Sequence, residues 1–312
     1  MRRFTDTPTK ADKTPTFTDS SRRTTVTGAT SPGPKLPEFL KGYDRITGSR
    51  DSYGIVQPIS EGGMGSVFLG KTSSSADVAI KFSKQEDMNH YIAREYFLLK
   101  LISHPNVVGV YDGGTVNGYN FIVTEYLGGC DLHDELITTG YPHADAAVGI
   151  AIEVLKGLEA VHAVGAVHGD IKPANIFLFD QPSDLIVKII DFGLATAFSE
   201  AKTNLSVRGT PGYLSPEQAA GGPYDRRADL FSVGVLLYTL ITGHNPFRGP
   251  DALTKTIYSN VIRPIELAPY IPPELDGIIL RSLRKSPCDR FQSAKEFREA
   301  LEMVLPAMVP AG

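Results

Sequence analysis

The sequence predicts an α+β protein of two lobes, in which a small β-rich lobe is followed by a larger helical one. Short runs rich in β-branched and aromatic residues fill residues 53–126 and are separated by Gly, Ser and Asp, which is typical of a small sheet. After residue 129, apolar residues recur at helical spacing. A glycine-containing joint at residues 127–129 separates the two patterns, and clefts between lobes are favoured ligand sites.

About five strands and one helix are expected in the first lobe. The strand-like runs are YGIVQPIS, SVFLGK, DVAIKF, HPNVVGVYDGG and YNFIVTEYLGG. The helix is expected over residues 89–102, where Ile92, Tyr96 and Leu99 recur at helical spacing.

The second lobe contains two strong helical patterns and two capped helix starts. One pattern spans residues 226–241. The other is an apolar stripe formed by Ala147, Ile150, Ala151, Val154, Leu155, Leu158 and Val161. Ser215 with Gln218 has the spacing of a capping box. Ser293 with Glu296 repeats that spacing before the last helix.

Composition excludes several classes of protein. The net charge of −4 provides no basic field for nucleic acid. Cys130 and Cys288 are too few for a disulfide scaffold and suit a reducing compartment. The longest apolar segment, residues 230–243, is too short to span a bilayer. We therefore expect a soluble, cytoplasmic protein without a membrane span or a nucleic-acid partner, and the sequence gives no indication of its oligomeric state.

Residues 1–45 differ in composition from the rest of the chain. They are rich in Thr, Ser and Pro and poor in branched aliphatic residues, so they bury too little apolar surface to offset the entropy of ordering. We expect a disordered tail. It is either a solvated extension or a phosphoacceptor segment, since Thr7 and Thr14 each precede a proline.

The segment SEGGMGSVFLG places three glycines, Gly62, Gly63 and Gly65, between two strands. Glycines let a backbone approach phosphate groups closely, although a glycine-rich hairpin is more often only a turn. The segment is not a Walker A loop, because no Gly-Lys-Ser/Thr follows. It is not a dinucleotide fingerprint either, because a strand follows it where that motif has a helix.

Lys81 ends the apolar strand Val78-Ala79-Ile80-Lys81, which should lie beside the glycine loop. A lysine on the buried side of a lobe needs a charged partner, and the natural one is Glu95 on the helix that follows. The alternative is that Lys81 and Glu95 are two unrelated surface charges. The apolar character of the sequence after Glu95 disfavours that alternative.

From about residue 53 to residue 305, the order of these motifs resembles the protein-kinase family, and within it the bacterial branch of eukaryotic-like serine/threonine kinases. The resemblance is completed by VHGDIKPANIFL at residues 167–178 and by Asp191-Phe192-Gly193. It implies a two-lobed protein kinase fold, with a lobe of about residues 53–126 and another of about residues 130–305.

The resemblance implies that Lys81, paired with Glu95, holds the phosphates of ATP. It implies that Thr124 guards the back pocket, that Val67 and Ala79 cover the adenine, and that the hinge runs from Glu125 to Leu127. The full set of implied ATP-binding residues is Ile59, Ser60, Gly62, Gly63, Gly65, Val67, Ala79, Lys81, Glu125, Leu127 and Phe177.

The same resemblance assigns the catalytic residues. Asp170 would accept the proton of the attacking hydroxyl group, and Lys172 would contact the γ-phosphate. Asn175 and Asp191 would hold Mg²⁺, with Mn²⁺ as an alternative. His168 is expected to pack against Phe192, not to act as a base.

Two positions depart from the family pattern. Ser60 replaces the first loop glycine, and Gly169 replaces the arginine of His-Arg-Asp. In the family that arginine normally pairs with a phosphorylated activation segment, which corresponds here to residues 191–217. We therefore expect activity to depend little on phosphate in that segment. His-Gly-Asp also occurs in aminoglycoside and choline phosphotransferases, which are a rival interpretation.

Three features favour a protein kinase over that rival. One is Lys172. Another is RGTPGYLSPE at residues 208–217, which resembles a platform for a peptide substrate, with Thr210 bonded to Asp170 and Lys172. The third is the pair of platform anchors, Asp229 and Arg290, of which Arg290 would pair with Glu217.

These features together predict an enzyme that phosphorylates serine or threonine on proteins, itself included, and they favour Ser/Thr over Tyr as the acceptor. A pseudokinase scaffold and a small-molecule phosphotransferase stay open as alternatives. Candidate autophosphorylation sites are Thr196, Ser199, Thr203, Ser206, Thr210 and threonines of the tail, and of these Thr210 is expected to be structural.

Overall fold

The computed structural model describes residues 37–63, 65–180, 185–201 and 207–308. All of them belong to one compact unit, Gly33–Gly312. The strands are β1 (Arg45–Thr47), β2 (Ser52–Glu61), β3 (Gly65–Lys71), β4 (Asp77–Ser83), β5 (Val110–Val116), β6 (Tyr119–Glu125), β7 (Cys130–Asp131), β8 (Ala166–Val167), β9 (Ile176–Asp180), β10 (Leu185–Ile189) and β11 (Thr196–Ala197). The helices are α1 (Asn89–Leu101), α2 (Leu132–Thr138), α3 (Ala144–Ala163), α4 (Phe198–Ala201), α5 (Pro216–Ala219), α6 (Arg227–Thr242), α7 (Ala252–Tyr258), α8 (Pro264–Leu267), α9 (Pro273–Ser282) and α10 (Ala294–Val304).

The first lobe is an antiparallel sheet with α1 packed against it. Among the described residues, six strands pair in the order β1-β2-β3-β4-β6-β5. Strand β4 buries Val78, Ile80 and Phe82 on one face, as the period of two along a strand requires. The sequence predicted about five of these strands. It missed β1, which has three residues and is too short to carry an alternating pattern.

Residues 37–44 form a segment that packs on this lobe, and we call it the N-terminal anchor. Leu40 is fully buried in the core of the lobe. The ring of Phe39 stacks on that of Tyr119, with centroids 3.8 Å apart. The Asn117 side chain donates to the backbone carbonyl of Phe39 at 2.8 Å and accepts from the Tyr43 hydroxyl at 3.0 Å. Of the predicted tail, residues 1–36 lie outside the described residues, and the described part, residues 37–45, includes the buried Leu40.

The second lobe is built around α3 and α6. Helix α3 buries the whole predicted apolar stripe. Helix α6 begins at Arg227 and is buried from Ala228 to Ile241, so the long apolar segment is a core helix, as predicted. Within the described residues, no helix is both long and apolar enough to cross a bilayer.

The two predicted helix caps differ in detail. Ser215 and Gln218 form a reciprocal capping box at the start of α5, as predicted. Ser293 accepts from the backbone N–H of Glu296 at the start of α10. The Glu296 carboxylate, however, accepts from the backbone N–H of Gln292 at 2.7 Å, so the reciprocal bond is displaced by one residue.

The joint at residues 127–129 has no regular structure, and the two lobes also contact each other beside it. Strand β6 ends at Glu125, whose backbone N–H donates to the carbonyl of Gly109 at 2.9 Å. The Glu125 carboxylate lies 2.7 Å from Nζ of Lys188 in β10. Val107 bridges Ile189 at the end of the same strand. These contacts join the sheet of the first lobe to the end of β10.

Candidate active site

Lys81 and Glu95 meet where the first lobe faces the turn after β10. Side chains alternate along β4, so Lys81 lies on the face opposite to Ile80 and Phe82. Its Nζ atom lies 2.6 Å from Oε2 of Glu95, which is in the middle of α1 and 2% exposed. The same nitrogen lies 2.7 Å from Oδ1 of Asp191 in the second lobe. Two carboxylates, one from each lobe, therefore share one ammonium group.

The three charged side chains shift one another's pKa values by different amounts and in different directions. Burial alone would lower the pKa of Lys81, but the carboxylates of Asp191 and Glu95 outweigh it and raise that pKa. Burial would raise the pKa of Asp191, but the Lys81 ammonium outweighs it and lowers that pKa from 3.8 to about 2. Burial raises the pKa of Glu95 more than Lys81 lowers it. Asp191 therefore holds its negative charge more firmly than Glu95 does.

The turn after β10 fixes Asp191 in place. Its backbone lies in the left-handed region at φ +60°, and the N–H of Gly193 donates to its Oδ1 atom at 3.2 Å. Phe192 is fully buried, and its backbone N–H donates to Oε1 of Glu95 at 3.2 Å. The Phe192 ring packs edge-on against His168 with centroids 4.7 Å apart. His168 is thus a packing residue, as the sequence predicted.

Three neighbours hold Asp170. The Asn175 side-chain nitrogen donates to the backbone carbonyl of Asp170 at 2.8 Å and to its Oδ2 atom at 3.2 Å. Nζ of Lys172 lies 2.8 Å from Oδ2, and the backbone N–H of Thr210 donates to Oδ1 at 2.8 Å. Lys172 also donates to the Thr210 hydroxyl at 2.7 Å. The contacts of Thr210 that were expected from the sequence are both present.

The glycine-rich loop is the turn between β2 and β3. Packing requires Gly65, because a β-carbon there would lie 2.2 Å from the carbonyl oxygen of Phe82. A β-carbon at Gly62 would meet no atom closer than 3.7 Å, and at Gly63 it would meet none within 4 Å. Packing therefore does not explain Gly62 and Gly63, whereas close approach of the loop to a ligand would.

Two of the other residues expected to bind nucleotide, Val67 and Ala79, lie on the same face of the sheet as Lys81. Val67 is paired with Lys81, and Ala79 with Thr124, so all four side chains share one face of the sheet. The rest are exposed or half-buried on β2, at the end of β6, in the joint and on β9: Ile59, Ser60, Glu125, Leu127 and Phe177.

Comparison with known proteins decides the family. Residues 53–302 match the protein kinase domain family. The chain belongs to that family. It is 37% identical over 272 residues to a probable serine/threonine-protein kinase of Clostridium perfringens, covering 83% of this chain and 39% of that protein. It is 33% identical over 288 residues to the serine/threonine-protein kinase Pkn1 of Myxococcus xanthus, covering 87% and 41%.

A third relative of this protein kinase domain is the serine/threonine-protein kinase PrkC of Bacillus subtilis. It is 32% identical over 275 residues, which cover 84% of this chain and 41% of that protein. The chain thus spans about two fifths of the length of these relatives. Protein kinases use ATP with a divalent metal ion and act on proteins. The match favours that family over the small-molecule phosphotransferases that share His-Gly-Asp.

Asp229 contacts the loop that carries Asp170. It is 1% exposed and accepts from the backbone N–H groups of His168 at 3.0 Å and Gly169 at 2.8 Å. The sequence predicts it as an anchor of the peptide platform, but its contacts are with the loop that carries Asp170. His162, at the end of α3, is a third partner, with Nε2 2.8 Å from Asp229. Sequence reasoning missed His162, because no local pattern links it to a carboxylate 67 residues away.

Arg290 joins the platform to the C-terminal part of the kinase, as the sequence predicted. Its guanidinium group is fully buried and makes two bonds with the Glu217 carboxylate, at 2.8 and 2.7 Å. It also donates to the backbone carbonyls of Arg284, Lys285 and Arg227. The Cζ atom of Arg290 lies 5.0 Å from the centre of the Phe231 ring. This buried charge therefore has both hydrogen-bond acceptors and an aromatic ring as neighbours.

Proposed function

We propose that this protein kinase transfers the γ-phosphate of ATP to serine or threonine hydroxyl groups of proteins, with Mg²⁺ as its preferred metal ion and Mn²⁺ as an alternative. The observation that carries the proposal is the 2.7 Å contact between Lys81 and Asp191, which come from opposite lobes, beside the Asp170–Asn175 pair. The backbone N–H of Ile190, next to Asp191, donates to the carbonyl of Asn175 at 2.9 Å. The names of the relatives support the activity, although they describe proteins more than twice as long as this chain.

The residues present suit a magnesium ion. Asn175 points its amide nitrogen at Asp170, which leaves the amide oxygen for a metal, and Asp191 supplies a carboxylate with a lowered pKa. Within the described parts of the chain, no group of three or more His, Cys, Asp and Glu side chains could hold a metal by itself. Mg²⁺ needs only one or two protein carboxylates and takes its other ligands from phosphate and water. When bound, it would neutralise charge on the phosphate oxygens.

Each of the proposed catalytic residues has a separate role in phosphoryl transfer. Asp170 orients the acceptor hydroxyl and takes its proton as the oxygen bonds to the γ-phosphorus. The bond from that phosphorus to the bridging oxygen breaks, and ADP leaves. Lys81 is held by Glu95 toward the phosphate groups, and Lys172 stands between Asp170 and Thr210 on the acceptor side. Positioning and charge neutralisation are what phosphoryl transfer requires.

Autophosphorylation is part of the proposal, and burial narrows the candidate sites. Ser199 is exposed, while Thr196 is 3% exposed and donates to Glu200. Thr210 is bonded to Lys172. Phosphate on either threonine would break these contacts, so we propose Ser199 as the acceptor among the described residues. Thr203, Ser206 and the tail threonines lie outside those residues and stay predictions.

We also propose a cytoplasmic location and no nucleic-acid partner. The small number of cysteines supports the first, because it suits a reducing compartment. The net charge of −4 supports the second.

The test is phosphate transfer from radiolabelled ATP and Mg²⁺ to a generic protein acceptor, with phosphosites mapped by mass spectrometry. We expect Lys81→Ala and Asp170→Ala each to reduce transfer by at least about 100-fold, the lower range for loss of a positioned catalytic group. Lys71→Ala and Asp77→Ala are the matched controls, because they remove an exposed ion pair of the β3–β4 hairpin. Full activity of Asp170→Ala would defeat the assignment, and wild-type protein that binds ATP without transfer would indicate a scaffold.

A further inference from the structure

The chain lacks the side chain that usually joins the catalytic loop to a phosphorylated activation segment. Gly169 adopts φ +78°, a left-handed conformation that L-residues with side chains disfavour. A β-carbon there would lie 3.7 to 3.9 Å from Leu194, Gln218 and Tyr224. Any charge that ties the activation segment to α1 must therefore act through other residues.

Such a tie exists between Arg94 and Glu200, and we call it the Arg94–Glu200 bridge. Arg94 directly precedes Glu95 on α1, and its Nη2 atom lies 3.0 Å from Oε2 of Glu200 in α4. The Thr196 hydroxyl donates to the same oxygen at 3.0 Å. The bridge therefore spans the two lobes beside the helical turn that carries Glu95.

The segment that carries Glu200 is anchored to the second lobe. The backbone N–H of Phe198 donates to the carbonyl of Gly165 at 2.8 Å, and Thr196 pairs with Val167. Ala201 is fully buried in an apolar cluster with Val167, Tyr224 and Ala228. Glu200 thus offers its carboxylate from a fixed position, as a charge that needs no modification.

We propose that Glu200 is a positioning residue, whose permanent negative charge holds α1, through Arg94, where Glu95 reaches Lys81. The inference rests on the proposed function, and it goes beyond it by naming the contact that replaces a phosphate as the tie between α1 and the activation segment. It explains how a chain with Gly169 keeps the Lys81–Glu95 pair formed at 2.6 Å.

The bridge is partly exposed, at 34% for Arg94 and 54% for Glu200, so its effect is modest. Exposed ion pairs are screened by solvent, and their measured contributions correspond to about two- to fivefold in an equilibrium or a rate. The test must therefore separate the interaction between Arg94 and Glu200 from the other effects of each substitution. Reversing both charges does so, because it restores the ion pair with the opposite polarity.

The variants are Glu200→Gln, Glu200→Arg, Arg94→Glu and the double variant Arg94→Glu/Glu200→Arg. Asp77→Asn is the control, because Lys71–Asp77 is an exposed ion pair confined to the first lobe. Two quantities are measured for each: kcat/KM for a protein acceptor before and after phosphatase treatment, and amide hydrogen exchange of residues 89–101 with ADP absent.

We expect Glu200→Gln to lower kcat/KM about two- to fivefold and to speed exchange in α1, and the two single charge reversals to do so more strongly. The double variant should recover to within about twofold of wild type. Phosphatase treatment should change wild-type activity less than twofold, and Asp77→Asn should change neither quantity.

Unchanged exchange in α1 for Glu200→Gln and both charge reversals would overturn the inference, as would failure of the double variant to recover. Loss of wild-type activity on dephosphorylation would also overturn it. Wild-type protein that transfers no phosphate at all would instead contradict the proposed function. The exchange measurement does not depend on catalysis, so the two failures are distinguishable.

Discussion

At the scale of single residues, the structure buries charge where many hydrogen-bond donors converge. Asp112 in β5 is fully buried and accepts from the hydroxyl groups of Ser49 and Tyr53 and from the backbone N–H groups of Ser49, Arg50 and Gly113, at 2.5 to 3.1 Å. Burial alone would raise the pKa of Asp112, but these hydrogen bonds outweigh it and lower the pKa from 3.8 to about 2. This carboxylate therefore ties the β1–β2 turn to β5.

The lowered pKa predicts how stability varies with pH. Because the folded pKa lies below the unfolded one, the ionised Asp112 contributes about 2 kcal/mol above pH 3.8, and that contribution is lost as the pH falls toward 2. We expect Asp112→Asn to reduce the free energy of unfolding by about 2–3 kcal/mol at pH 7 and by less at pH 2. Urea unfolding at several pH values measures the difference. A difference independent of pH would contradict the prediction.

At the scale of elements, the N-terminal anchor extends the folded domain beyond the part that matches the kinase family. It contacts the β5–β6 turn through Asn117 and Tyr119. On its other side, that turn is held by Asn89, the first residue of α1, whose side chain donates to the carbonyl of Gly118 at 2.7 Å. The anchor is therefore connected to the helix that carries Glu95 through a single turn.

The anchor should contribute measurably to stability. Leu40 is fully buried, so Leu40→Ala should lower the free energy of unfolding by about 2–5 kcal/mol, the usual cost of such a core truncation. Lys41→Ala is the control, because its side chain is 67% exposed, and we expect a change within about 0.5 kcal/mol. Chemical denaturation followed by circular dichroism measures both. Equal stability of the two variants would show that the anchor is dispensable.

At the scale of the whole molecule, the Glu217–Arg290 pair joins the platform, residues 208–217, to the chain just before α10. The Arg290 side chain is fully buried and that of Glu217 is 14% exposed. The arginine has five hydrogen bonds to protein oxygens. Breaking one side of such a pair leaves an uncompensated buried charge, whereas replacing both partners with apolar residues does not.

We therefore expect Glu217→Gln to destabilise the protein by about 3–5 kcal/mol, and the double variant Glu217→Leu/Arg290→Met to lose less. Arg281→Gln removes the partly exposed bridge to Glu296 and serves as the control, with an expected loss of at most about 1 kcal/mol. Thermal unfolding of the four proteins measures these losses. If Glu217→Gln and Arg281→Gln lost the same amount, the argument from burial would fail.

The sequence by itself determined the features that depend on neighbouring residues. The period of apolar residues predicted β4 and α3, and the spacing of Ser215 and Gln218 predicted the cap of α5. The order of motifs identified Lys81 and Glu95 as a pair before their 2.6 Å contact was seen. These succeed because strand period, helix period and capping are fixed by local geometry.

Only the tertiary structure decided the contacts between distant segments. Asp112 contacts Ser49 across 63 residues, and the loop that carries Asp170 is bonded to Asp229, which lies 60 residues after Gly169. The packing of Leu40 and the bridge from Arg94 to Glu200 likewise join parts of the chain that no local pattern relates. Such contacts depend on which surfaces meet when the sheet and the helices pack. That packing brings charged and apolar side chains that are far apart in the sequence into contact.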